Sequence, residues 1–142
     1  MKWMKSANNS VRFSVVPSIA MAEAPHVASM QRYLDAFSAG DVSGVLALFA
    51  DGARVYSPSQ TEAKSPQDFF PPVLARSTGT VFAMKATFVG TAPGSAAVHF
   101  DYRKPMADGS VRVFDCVDIF TFDSAGKIVD MRILFDTKNL QP

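Results

Sequence analysis

Few residues in this chain have the type and setting to do chemistry. Asp118 stands in the run Val111-Arg-Val-Phe-Asp-Cys-Val-Asp-Ile-Phe-Thr-Phe122. Strand alternation puts it on one face with Phe114, Cys116, Phe120 and Phe122. A charge among aromatics is expensive unless it is paired, and burial drives a carboxyl pKa upward. Two readings therefore stand open: a neutral acid with a chemical role, or an ion pair with Arg112 or Arg132. Tyr33 sits at the edge of an apolar helical stripe, a position that by itself means core packing with the hydroxyl reaching water. Cys116 is the lone cysteine, so no intramolecular disulfide can form. Neither His26 nor His99 has a Cys or His neighbour at metal-ligand spacing, so no metal or other cofactor is expected.

The elements that must position these groups can be read from period and punctuation. Val27, Met30, Leu34 and Phe37 fall on one helical stripe, with Tyr33 beside it, and Gly40 supplies a stop. Asp41 caps a short second helix that buries Val45, Leu46 and Phe49. Residues 53–57 alternate as a short strand that Pro58 ends. Ser65-Pro66 reads as an N-cap and first-turn proline of a third helix, which Pro71-Pro72 should kink or break. After Thr80 the period becomes two, with strands over about 80–89, 95–104, 110–122 and 128–135. Pro93-Gly94, Asp108-Gly109 and the turn at 123–126 separate them. Helices followed by an antiparallel meander argue an α+β domain whose sheet curls around helices on one face.

The bulk numbers agree with one such domain. The chain has 142 residues, 48% hydrophobic and 19% charged, with a formal net charge of +1. That length suits a single core, and without a basic block a nucleic-acid partner is not expected. Residues 1–22 read as a flexible N-terminal extension ahead of a domain over 23–142. Within it, residues 13–22 weakly resemble a signal segment, interrupted by Pro17 and too short and polar to span a membrane. The lone cysteine weakens a secreted, disulfide-stapled reading. The expected location is the cytoplasm, with no membrane partner.

Several stretches resemble bacterial ketosteroid isomerases of the nuclear transport factor 2-like (SnoaL-like) superfamily. They are Gln31-Arg-Tyr-Leu-Asp-Ala-Phe-Ser-Ala-Gly-Asp41, Val45-Leu-Ala-Leu-Phe-Ala-Asp51, Val117-Asp-Ile-Phe-Thr-Phe122, Gly126-Lys-Ile-Val129 and Met131-Arg-Ile-Leu-Phe-Asp-Thr-Lys-Asn-Leu140. The resemblance implies a cone of three N-terminal helices on a strongly curved, mainly antiparallel mixed sheet, dimeric through the sheet. It also implies a helix tyrosine and a protonated strand aspartic acid that together form an oxyanion hole. Those roles fall on Tyr33 and Asp118. The family's general base, an aspartate before a proline at the end of the first strand, falls on Ser57, and a serine hydroxyl cannot take a proton from carbon unaided. Asp68, Glu62 and Asp101 are the candidate substitutes.

By strand parity, Val98, Phe100, Tyr102, Phe114, Cys116, Phe120, Met131, Ile133 and Phe135 should line the cone. The function so implied moves a C=C bond next to a carbonyl in a steroid-like substrate, with the usual base replaced. Two alternatives differ in class. One is a non-catalytic binder of a steroid- or terpenoid-like carbonyl compound; the other is a dehydratase, hydrolase or cyclase on the same cone. A carboxylate other than Asp118 near Ser57 is the feature that separates them.

Overall fold

The structure, a computed structural model, describes residues 11–136, with side chains from residue 25 onward. Three helices and five strands follow in the order α1 (Val11–Ser38), α2 (Val42–Leu46), β1 (Phe49–Tyr56), α3 (Pro66–Ala75), β2 (Val81–Val89), β3 (Ser95–Pro105), β4 (Val111–Phe122) and β5 (Ile128–Phe135). Helix α1 begins well before the apolar stripe that starts at Val27. The expected extension over 1–22 falls on residues whose side chains lie outside the described ones. No helix among the described residues is long and apolar enough to cross a membrane.

The punctuation operates as local chemistry requires. Gly40, at φ 69°, closes α1 with Gly40 N–H donating to the Phe37 carbonyl (3.0 Å) and Asp41 N–H to the Ala36 carbonyl (2.9 Å). The Asp41 carboxylate then accepts from Gly44 N–H at 2.9 Å to start α2. Ser65 Oγ accepts from Asp68 N–H at 3.1 Å to start α3. Helix α3 is not broken at Pro71 and Pro72, which both lie inside it. The carbonyls these prolines leave unpaired belong to Gln67 and Asp68, both exposed, so water can satisfy them. Meanwhile Phe69, Phe70 and Leu74 bury the other side of the helix. Phe49 belongs to β1 rather than to the second helix.

The sheet is open and mixed, in the order β1-β5-β4-β3-β2. Strands β2 to β5 pair antiparallel in sequence order, and β1 joins the edge parallel to β5. Register shifts between Met84 and Ala86 and between Thr121 and Phe122 add twist where a flat sheet could not wrap the helices. Gly94, at φ 77°, holds the turn before β3; a side chain there would collide with the Phe122 carbonyl. Long β4 lies at the centre, alternating buried Phe114, Cys116, Asp118, Phe120 and Phe122 with more exposed neighbours.

Aromatic edges join the helices to this inner face. Phe70, fully buried, meets the rings of Tyr33 at 5.9 Å, Phe49 at 5.3 Å and Phe69 at 5.1 Å. Tyr33 in turn sits edge-on to Phe120 at 5.5 Å. Phe70→Ala removes the ring shared by α3, α1 and β1, and is expected to lower unfolding free energy by about 3–5 kcal/mol. The check is the shift of the urea midpoint at unchanged slope.

Candidate active site

Between α1, α3 and the inner face of the sheet lies an open cavity of about 250 Å³. Tyr33, Ser57 and Asp118 all line it, as do Phe100, Tyr102, Phe114, Cys116, Ile133 and Phe135. Val98, Phe120 and Met131, expected in the same wall, instead belong to the solid core, all fully buried. Their end of the curl is plugged: Phe120 lies under the Tyr33 ring, and Met131 faces Val55 across the β1–β5 ladder. Parity chooses the correct face for these three, but the helices fill that end of it.

Helix α1 brings Tyr33 to the plug, and β4 brings Asp118 to its rim. Asp118 stands between Val98 of β3 and Ile133 of β5 and is 2% exposed. Its Oδ1 has no hydrogen-bond partner among the described residues. None of the ion pairs among those residues includes Asp118, so the paired-carboxylate alternative is not realised. Arg132 lies instead over the Tyr56 ring, 4.3 Å from its centroid.

Burial lifts the Asp118 pKa to about 8, against a smaller pull downward from hydrogen bonding by Tyr33. At neutral pH the group is therefore mainly a carboxylic acid. Tyr33 is held well above its usual range, first by burial and then by the charge Asp118 would carry. Cys116, two residues along the same face, is pushed up to about 12, chiefly by burial. It stays a thiol and is no nucleophile. Two neutral O–H donors thus stand together in a mainly apolar wall, with Tyr33 hydrogen-bonded to Asp118. Such donors stabilise an oxygen that gains negative charge, because they need no reorganisation as the charge develops.

The expected base position tells the opposite story. Ser57 follows β1 into the cavity wall, where its hydroxyl lies 2.9 Å from that of Ser59. Asp118 is the sole carboxylate among the described residues that line the cavity. Asp68 lies in the first turn of α3 on the exposed side, accepting from Ser65 Oγ at 2.9 Å. Asp101 is on the outer face, 2.7 Å from Lys85 Nζ. Glu62 lines a separate hollow of about 270 Å³ that shares Ser57 and Ile133 with the first. His99 also faces outward and lies 2.6 Å from Asp115. No cluster of His, Cys, Asp or Glu among the described residues could hold a metal ion.

Some lining residues escaped sequence reasoning. Phe37, Phe69, Val73, Arg76 and Ser77 arrive on helices or just after them, and Phe82 arrives on β2. Their positions depend on how the helices dock. Lys104 also lines the cavity, and it was available by parity with Phe100 and Tyr102. Tyr102 donates to Ser77 Oγ at 2.9 Å, and Ser77 donates to the Val73 carbonyl at 2.7 Å. This chain of hydrogen bonds fixes the α3 side of the opening to β3.

Comparison with known families matches residues 30–131 to the SnoaL-like domain. Among solved structures, the epoxide hydrolase/cyclase-like enzyme SalBIII of salinomycin pyran-ring formation is similar over 82% of this chain and 95% of that one, at 18% identity and TM-score 0.72. A Delta 5-3-ketosteroid isomerase from Mycobacterium sp. is similar over 81% and 95%, at 23% identity and TM-score 0.66. An NTF2-like protein from Exiguobacterium sp. 255-15 is similar over 76% and 98%, at 20% identity and TM-score 0.65. These likenesses show the nuclear transport factor 2-like fold.

The raised Asp118 pKa couples stability to pH. Unfolded, the group ionises near its ordinary 3.8; folded, it holds its proton to about 8. The folded state binds the extra proton, so this stabilisation is complete below about pH 4 and declines as pH rises to about 8. Its limiting slope is about 1.4 kcal/mol per pH unit. Asp118→Asn, which cannot ionise, should remove that slope. Urea unfolding at several pH values checks this, and a protonated-carboxyl infrared band lost near pH 8 in wild type alone checks the assignment.

Proposed function

The chain belongs to the SnoaL-like domain family, and we propose that its cavity binds a flat, apolar, steroid-like carbonyl compound through a Tyr33–Asp118 oxyanion hole. Asp118 carries the proposal: a buried acid without an ionic partner, one oxygen unpartnered, beside a tyrosine hydroxyl in an apolar cavity. A carbonyl oxygen placed there accepts both hydroxyl protons, and the pair strengthens as the oxygen becomes an enolate. The reaction so favoured is transposition of a C=C bond next to that carbonyl, the isomerase chemistry named for the Mycobacterium neighbour.

The proton shuttle that such a reaction needs is weak here. Ser57 and Ser59 offer hydroxyls only, so wild-type isomerisation is slow, with water held by Ser57 as the carrier. The lack of a second carboxylate in the described lining also favours the other reading, a binder that keeps its donors for affinity. On both readings the protein works as a homodimer through the outer sheet face, where Phe88, Val111, Val113 and Leu134 are exposed. The lone reduced cysteine supports a cytoplasmic location.

Two measurements test this reading. A steroidal phenol, which mimics the dienolate, should bind more tightly than a 3-oxo steroid, and Tyr33→Phe should weaken the phenol about tenfold or more. Equal phenol affinity in both proteins by calorimetry would refute the donor assignment. Ser57→Asp should raise the appearance of conjugated-enone absorbance from a 5-ene-3-oxo steroid by about 10²–10⁴-fold, the usual yield of a positioned base. Fast turnover by wild type and by Ser57→Ala alike would assign the base elsewhere.

A further inference from the structure

Asp118, Arg76 and Lys104 are the charged side chains lining the cavity. With Asp118 protonated, the described lining residues carry two positive charges and no negative one at neutral pH. Arg76 occupies the C-cap of α3, where the helix dipole favours a cation. That accounts for one charge but not the other. Lys104 shares the inner face with Phe100 and Tyr102, and its cross-strand partner is Arg112. Like charges directly opposite on neighbouring strands work against the sheet.

Neither Arg76 nor Lys104 is in an ion pair among the described residues. The acids on the adjoining stretches of β3 and β4, Asp101 and Asp115, face outward and are taken by Lys85, His99 and Arg103. Placement is equally specific. Asp118 pairs with Val98, and from Val98 to Lys104 an extended strand covers roughly 20 Å. Part of that span is bridged by the flexible lysine stem. Arg76 is exposed and Lys104 half-buried, and Ser77, next to Arg76, accepts from Tyr102, two residues from Lys104, so both line the cavity where it meets solvent.

We propose that the ligand of this cavity is an amphipathic anion, a flat apolar carbonyl compound whose far end bears a carboxylate held between Arg76 and Lys104. The inference rests on the carbonyl-binding reading of Tyr33 and Asp118 and adds the chemistry of the opposite end. A guanidinium and an ammonium facing one carboxylate give charge-assisted hydrogen bonds, and the planar fork of Arg76 can donate to both oxygens side by side. The same two charges draw anions to the opening before they bind.

Calorimetry with the full chain tests this, using 3-oxoandrost-4-ene-17-carboxylic acid and its methyl ester. The acid should bind about tenfold more tightly at low salt, and the advantage should shrink at high salt as screening weakens the contact. Arg76→Gln and Lys104→Gln should each lower the acid-to-ester affinity ratio about three- to fivefold, the range of a partly exposed ion pair. The double variant should bring the ratio close to one. Tyr33→Phe should weaken both ligands by the same factor and leave the ratio alone. Equal affinity for acid and ester in wild type, with both weakened by Tyr33→Phe, would overturn the anionic end and leave carbonyl binding standing. Failure of the folded protein to bind either ligand would overturn both.

Discussion

A carboxyl sealed into an apolar wall with no cation beside it can persist only with its proton on. That constraint at Asp118 governs the site. The central strand presents the group, Val98 and Ile133 flank it, and the aromatic layer under α1 and α3 keeps water from it. The chemistry offered by Asp118 is therefore a product of its hydrophobic neighbours as much as of the residue itself. Replacing a ring of the layer by something smaller and wetter would lower the acid's pKa and turn a donor into an acceptor, without touching the acid.

Asp115, on the same strand, shows how local this control is. Its side chain points to the outer face, where hydrogen bonds from His99 and Lys85 hold its pKa below the usual carboxylate range. Asp118 points inward and is driven the other way. Strand alternation alone separates the two environments. The outer group belongs to a solvated network of exposed charges, where each pair contributes little to stability.

Much of this was legible from residue order. The β4 parity placed Asp118 among aromatics, and Gly40, Asp41 and Ser65 marked the ends of their helices as their backbone chemistry demands. The resemblance put Tyr33, Ser57 and Asp118 in one wall, and the three do line one cavity. Parity identifies a face but not depth along it, which is why Val98, Phe120 and Met131 fell in the plugged end. Whether Asp118 was paired or protonated was equally beyond it, since Arg132 could have reached across the sheet but lies over Tyr56 instead. At Pro71-Pro72 the helix is not broken. A helix losing two amide donors should break, yet the buried Phe69, Phe70 and Leu74 outweigh the loss. Arg76 and Phe37 became cavity residues through helix docking, which no local spacing encodes.

The two halves of the site are carried by parts of the fold that differ in how freely they can vary. Tyr33 and Asp118 hang from α1 and the innermost strand, where every neighbour is load for several others. Ser57 hangs from the loop after β1, the edge strand of the sheet, whose far side is held only by a short bridge between Val55 and Lys64. Drift at that edge can exchange one side chain for another without disturbing the donors or the plug beneath them. On the proposed reading, architecture of this kind would let a lineage keep its affinity for a class of molecule while gaining, losing or replacing the step performed on it. The same separation makes the edge the natural place for an engineer to begin.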